Sequence, residues 1–271
     1  MFENIKLISS DIDGTLVDNS RVMNQITIDT LRQIRKRGYI FGLASGRPLR
    51  DVQLTLQQWK ADDTYDFIIA FNGCELLDCI NKKTYQFNTL SKQELKEIID
   101  FMMQFDCNVH MYYQDKYLTS SNTDKAWYSA FRNKREYVVA EDLSMFYQSE
   151  SCGIMFRVKQ ENMAQIEKAT LQFCQDKNYV GFKTQADLME FASRDCNKGF
   201  ALKKIAEIYQ ISLEDVMSFG DTSNDNSMFE ISYGVCLANG SDDSKKLAKM
   251  ITSKPVGQNG IVDFVNNYLF K

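Results

Sequence analysis

Three features of the sequence predict an α/β fold with a parallel sheet, interrupted by an inserted α+β domain. Apolar strands alternate with helical periodicity from the start of the chain to about Phe71. From about Asn81 the texture changes to strand-like segments with alternating aromatics around two helical stretches, and beyond about residue 187 the first pattern resumes. Strands that alternate with helices form parallel βαβ units, and ligands bind at the carboxyl ends of such strands.

The first strand is expected over Ile5-Lys6-Leu7-Ile8-Ser9-Ser10, running into the loop Asp11-Ile12-Asp13-Gly14-Thr15. Ile26, Ile28, Leu31 and Ile34 then recur at helical intervals, and Gly38 closes that helix. A second apolar run, Tyr39 to Ala44, ends at Ser45-Gly46-Arg47-Pro48, where Pro48 suits the first turn of another helix. The third run, Phe67 to Phe71, stops at Asn72-Gly73. The inserted domain is expected to span 82–186. Its strand-like segments lie at 84–87, 109–113 and 153–158, and its helices lie near 91–104 and 160–176. Residues 1–81 and 187–271 then form one core, in which a helix over Lys198 to Tyr209 and a strand over Val216 to Phe219 precede a helix over Asn224 to Ile231 and a strand over Tyr233 to Leu237.

Composition narrows the function. Apolar residues make up 44% of the 271, charged residues 25% and aromatics 12%, the balance of a folded globular chain. The formal charge is −4 with no long basic run, which argues against nucleic acid and anionic membranes as partners. No basic segment followed by an apolar region opens the chain, and no apolar stretch approaches the roughly 18 residues of a membrane span, so a cytoplasmic location is expected. The seven cysteines (Cys74, Cys79, Cys107, Cys152, Cys174, Cys196 and Cys236) are odd in number and contain no Cys-x-x-Cys pair, the pattern of reduced thiols. A single histidine, His110, lies in an alternating apolar segment. Histidine triads and multi-histidine metal sites are thereby disfavoured, and the chemistry falls to carboxylates.

Asp11 and Asp13 stand two apart directly after a strand, in a loop loosened by Gly14, so that both can face one pocket. Oxygen-only donors of this kind suit Mg²⁺, which keeps several waters and is shared with substrate phosphate. A second acidic cluster, Gly220-Asp221-Thr222-Ser223-Asn224-Asp225, follows another strand. An isolated aspartate in a turn is more often a cap or Asx-turn, but two clusters after two strands reverse that preference. Phosphate also needs donors and positive charge; Ser45 with Gly46 at one strand end, and Lys198 opening a helix, offer them.

Taken in order, Asp11-Ile12-Asp13-Gly14-Thr15-Leu16, Ala44-Ser45-Gly46-Arg47-Pro48, Asn197-Lys198-Gly199 and Gly220-Asp221-Thr222-Ser223-Asn224-Asp225 resemble the four motifs of the haloacid dehalogenase superfamily. The large insertion between the second and third motifs resembles the Cof-type branch of sugar-phosphate phosphatases with a C2 cap. Two departures are slight: Ser45 stands where Thr is frequent, and Thr222 where Gly or Ser is frequent. The resemblance implies a Rossmann-like, doubly wound core, with Asp11 as nucleophile forming an aspartyl-phosphate and Asp13 as the acid and base. It further implies Mg²⁺ held by the Asp11 carboxylate, the Asp13 carbonyl and Asp221. Ser45, Gly46, Lys198 and Asn224 fall at phosphate-binding positions, and Asp225 at a supporting one that orients Lys198 or a metal water. Aspartate two residues after the nucleophile favours a phosphatase over a dehalogenase, because an alkoxide leaving group needs a proton and a halide does not. The expected substrate is a small phosphorylated metabolite, a sugar phosphate or cofactor precursor. The alternatives are a phosphomutase and a non-catalytic sugar-phosphate sensor, and the intact acids of the first and last motifs speak against the sensor. The inserted segment is expected to act as a lid that sets specificity; Tyr112, Tyr113, Lys116, Trp127, Arg157, Lys183 and Glu190 are its candidates, none of them assigned a role.

Overall fold

In a computed structural model that describes residues 2–270, the chain divides into two compact units, one formed by Met1–Phe87 with Asn197–Lys271 and the other by Asn88–Cys196. The edges lie further along the chain than the sequence texture suggests, at 87/88 and 196/197 rather than 81/82 and 186/187, and strand pairing is the reason. The segment after Asn81 pairs back into the first unit's sheet, and the segment after residue 187 pairs within the second unit.

The first unit opens with β1 (Leu7–Asp11), α1 (Gln25–Lys36), β2 (Ile40–Ala44), α2 (Leu49–Gln58), β3 (Phe67–Ala70), β4 (Glu75–Asp78) and β5 (Lys83–Gln86). The second unit comprises α3 (Lys92–Met102), β6 (Cys107–Tyr113), β7 (Lys116–Thr119), α4 (Asp124–Arg132), β8 (Glu136–Val139), β9 (Ile154–Val158), α5 (Met163–Phe173), β10 (Tyr179–Gln185) and β11 (Leu188–Ser193). The first unit then resumes with α6 (Lys198–Ile208), β12 (Val216–Gly220), α7 (Asn226–Ile231), β13 (Tyr233–Cys236), α8 (Asp242–Leu247), β14 (Met250–Ile251) and α9 (Gly260–Tyr268).

Its sheet has the order β14-β13-β12-β1-β2-β3-β4-β5, parallel from β14 to β3 and antiparallel over the β3-β4-β5 edge. The chain winds outward from β1 in one direction and from β12 in the other, so the winding reverses between these two neighbours. That reversal is the doubly wound arrangement and opens a crevice beyond their carboxyl ends. Both faces are covered. Ile28, Leu31 and Ile34 of α1, Val52 and Leu56 of α2 and Phe264 of α9 pack on Ile8, Phe41, Leu43 and Phe219. On the other face Ala201, Leu202 and Ile205 of α6 meet Leu7, Phe67, Ile69 and Val216. Each large apolar side chain buried in this way contributes about 1.5–3 kcal/mol. α1 has the boundaries its sequence signals require: the Asn24 side chain accepts from the Thr27 N–H at its start, and Gly38 takes φ 90° just past its end.

The second unit is a six-stranded sheet, β10-β11-β9-β6-β7-β8, antiparallel except between β7 and β8. α3 and α5 cover one face through Ile98, Met102, Met163 and Ile166. α4 lies on the opposite face, with Ala126 and Ala130 against Tyr117, Met155 and Leu188. His110 in β6 is fully buried, and neither ring nitrogen has a hydrogen-bond partner. Burial, with a smaller push from the Arg157 cation, lowers its pKa from 6.5 to about 4. His110 is therefore a neutral core residue and not a catalytic one.

A consequence for stability follows from this histidine. The unfolded chain takes up a proton at His110 below pH 6.5 and the folded chain does so only near pH 4, so stability falls as the pH drops through that window. The expected loss is about 3 kcal/mol. Urea unfolding of the wild type and His110→Leu at a series of pH values measures it. The wild-type curve should fall more steeply between pH 6.5 and 4, and parallel curves would refute the assignment.

Candidate active site

β1 and β12 are neighbours in register, and β2 pairs with β1 so that Asp11 lies opposite Ala44. The loops after β1, β2 and β12 therefore leave the sheet at one end. Lys198, at the first turn of α6, joins them there. It carries a fully buried ammonium that donates to Asp11 Oδ1 at 2.5 Å and to Asp225 Oδ1 at 2.7 Å. Asp225 is also fully buried, and its second oxygen accepts from the Asp221 and Thr222 N–H groups at 2.9 and 3.1 Å. Asp225 thus orients Lys198 while it ties the loop after β12 into a turn. Thr15, from the loop after β1, donates its hydroxyl to Asp221 Oδ1 at 3.1 Å. Carboxylate oxygens of Asp11, Asp221 and Asp225 lie within 4.8 Å of one another.

Burial sets the electrostatics. It pushes Asp11 up to about 8, against the pull of Lys198 and reinforced by Asp225 and Asp221. Asp221 rises to about 6, mainly by burial and then by Asp225. Burial alone would lower Lys198, but Asp11 and Asp225 together raise it, so the lysine stays charged. Three carboxylates against one ammonium leave excess negative charge in a buried, all-oxygen donor set. That is the chemistry of a hard divalent cation, and Mg²⁺ fits these residues.

The other expected residues fall in different places. Ser45 is buried, and its hydroxyl accepts from the Arg47 N–H at 3.1 Å, which fixes the turn after β2. Gly46 is exposed at that turn, and a Cβ there would meet Asn72 Oδ1 at 3.1 Å. Asp13 sets its carboxylate against the guanidinium of Arg47 and is not one of the three grouped acids. Asn224 is exposed, and its side-chain oxygen accepts from the Thr222 hydroxyl at 2.6 Å, so the structure does not bring it into the buried cluster.

Several supporting residues were given no part in the site by the sequence reading. Phe71 and Asn72 both take left-handed backbone, φ 48° and 51°, in the turn after β3, and the Asn72 N–H donates to the Ser45 carbonyl. Such strain concentrates at functional turns. Gly73 follows at φ 107°, and a Cβ there would lie 2.2 Å from the Asn197 carbonyl oxygen, directly before Lys198. Gly14, at φ 89°, leaves room for Asp221, whose carboxylate a Cβ would meet at 2.2 Å. Asn239 donates to the Gly14 carbonyl at 2.8 Å and accepts from the Val256 N–H at 2.7 Å. Only the glycines carry a signal visible in sequence.

Removal of Asp225 tests how far the site depends on the ammonium chain. Asp225→Ala takes one carboxylate from a buried lysine and strips the acceptor from two N–H groups, for an expected cost of about 3–5 kcal/mol. Asp225→Asn keeps an amide oxygen and should cost less. Urea midpoints of both variants decide; equal midpoints would contradict the role given to the second carboxylate.

The profile of the haloacid dehalogenase-like hydrolase family matches residues 8–265. The chain is 23% identical to the 5-amino-6-(5-phospho-D-ribitylamino)uracil phosphatase YitU of Bacillus subtilis, over 97% of each chain. It is also 23% identical to an HMP-PP phosphatase of Yersinia pseudotuberculosis, over 97% of this chain and 95% of that protein. Among solved structures, a haloacid dehalogenase-like hydrolase from Bacteroides thetaiotaomicron shares the fold at a TM-score of 0.85, with 22% identity over 97% of this chain and 99% of that one.

Proposed function

The chain belongs to the haloacid dehalogenase-like hydrolase family, and from that premise we propose that it is a Mg²⁺-dependent phosphatase of small phosphorylated metabolites. The observation that carries the reading is the buried Lys198 ammonium shared by Asp11 and Asp225, with Asp221 beside them at the carboxyl ends of β1 and β12. Relatives named as phosphatases of a ribitylaminouracil phosphate and of HMP-PP support phosphate monoesters of modest size as the substrate class.

In this reading Asp11 attacks phosphorus and becomes an aspartyl-phosphate as the ester oxygen departs. Asp13 gives that oxygen a proton and later takes one from the water that cleaves the acyl phosphate. Lys198 neutralises the phosphoryl oxygens, and Ser45 with the Gly46 N–H supplies donors. Asp11, Asp221 and the Asp13 carbonyl are the residues that would hold Mg²⁺. When bound, the ion supplies positive charge to the phosphoryl group and to the carboxylates around it. Asn224, exposed beside the buried cluster, belongs at the rim of the phosphate site. The inserted unit, residues 88–196, selects the leaving group, and no nucleic acid or membrane enters the reaction. Among the described residues no helix is long and apolar enough to cross a membrane.

Two measurements test the proposal. Phosphate release from a panel of sugar phosphates and cofactor phosphates should need Mg²⁺, stop with EDTA and vanish in Asp11→Asn. Release by Asp11→Asn at the wild-type rate, or isomerisation of a sugar phosphate in place of release, would remove the phosphatase reading. Independently of activity, Mg²⁺ at a hundred times its dissociation constant should stabilise the fold by about 2.7 kcal/mol. The thermal shift should disappear in Asp221→Asn if the acidic cluster is the site.

A further inference from the structure

The carboxylate of Asp13 is held by a second residue, and the hold is specific. Arg47 donates from Nε to Asp13 Oδ2 at 3.0 Å and from a terminal nitrogen to Asp13 Oδ1 at 2.5 Å, a two-pronged grip that uses one lone pair of each oxygen and leaves the other to carry a proton. The other terminal nitrogen reaches Thr55 Oγ1 of α2 at 3.4 Å. The Arg47 backbone is fixed as well, its N–H bound to Ser45 Oγ and its carbonyl accepting from the Phe71 N–H at 2.9 Å. Thr55 in turn donates to the Asp51 carbonyl at 2.7 Å. The Arg47 backbone is therefore anchored to the turns after β2 and β3, and its guanidinium to α2. In contrast, Asp13 is about half exposed, and its carboxylate is absent from the Asp11, Asp221 and Asp225 group.

We propose that Arg47 is a positioning residue that aims the Asp13 carboxyl at the leaving-group oxygen. The inference rests on the phosphatase reading above, because it presupposes Asp13 as the proton donor. An exposed carboxylate has several rotamers, and general acid catalysis needs one of them within hydrogen-bond reach of the ester oxygen. Arg47 selects that rotamer, since a planar fork fits a carboxylate in one orientation only. In the transfer step the Asp11–phosphorus bond forms, the phosphorus–ester oxygen bond breaks, and the Asp13 proton moves to the departing oxygen, which leaves as an alcohol. Arg47 takes no part in bond making. Lysine keeps the charge at this position but lacks the fork.

Leaving-group dependence separates this role from others. An alkyl phosphate needs a proton on its leaving oxygen, whereas p-nitrophenyl phosphate departs as a stable phenolate. Arg47→Ala and Arg47→Lys should lower kcat/KM for a simple alkyl phosphate at least tenfold, part of the roughly 10²–10⁴-fold that a positioned acid supplies. For p-nitrophenyl phosphate the change should stay within about threefold, because the step that kcat/KM reports needs no acid there. With Asp13→Asn as background, Arg47→Ala should cost nothing more on the alkyl phosphate, since the residue acts through Asp13. Parallel losses on both substrates would overturn the proposal in favour of direct phosphate binding by Arg47, as would additive losses in the double variant. Should the wild type release phosphate from neither substrate, the phosphatase reading itself fails. That outcome is distinct from any result that concerns Arg47 alone.

Discussion

The buried ammonium of Lys198 is the constraint on which the rest of the core depends. A cation out of water is tolerated only with close, well-aligned counter-charges, and here they come from Asp11 and Asp225. Asp11 belongs to the segment before the insertion, while Lys198 and Asp225 belong to the segment after it. The ion chain therefore joins the two separated halves of one domain at the point where the chain returns. The position is unfavourable in one respect, because Lys198 opens α6 and a cation at a helix N-terminus opposes the helix dipole. Asn197 caps that helix through the Phe200 N–H and supplies no charge, so the two carboxylates must offset both burial and dipole. A fold indifferent to chemistry has no reason to place a lysine there.

How much of this was legible in the sequence depends on whether the cause is local. β1, β2, β3 and β12 are buried on both faces, so each reads as an apolar run that ends in polar or glycine residues, and the sequence carries that signal directly. The unit boundaries depend on pairing at a distance and were displaced. Asn81 and Lys82 look like the end of the core, yet Lys82, with φ 54°, turns the β4-β5 hairpin, whose second strand adds to the core sheet. The run after residue 187 resembles a return to the core, but β11 pairs with both β10 and β9. No local pattern distinguishes these cases.

The site divides along the same line. Asp11, Asp221, Lys198 and Asp225 carry enough chemical identity to be singled out from spacing and order, and the structure brings all four together. The partnership of Arg47 with Asp13 spans 34 positions and depends on Asp11 lying opposite Ala44 in the β1-β2 register, which no sequence pattern specifies. The left-handed backbone at Phe71 and Asn72 is likewise hidden, because neither residue is the glycine that would announce it. Asn224 is a different case: its position in a motif suggested a phosphate contact, and in the structure it is exposed, with its side-chain oxygen accepting from the Thr222 hydroxyl.

Charge balance links the nucleophile to the cation. Even with Lys198 at 2.5 Å, burial carries Asp11 up to about 8, so this carboxylate, the nucleophile of the proposed reaction, competes for a proton near neutral pH. The remedy has to be additional positive charge, because moving Asp11 toward water would break its bond to Lys198. A divalent cation held by Asp11 and Asp221, as proposed above, would supply that charge, and metal binding is coupled to proton release in this way. Gly14 is what makes the arrangement sterically possible, since any Cβ at that position would occupy the space of the Asp221 carboxylate. The glycine and the buried lysine are in this sense one device, since both answer the packing of three acids where water cannot solvate them.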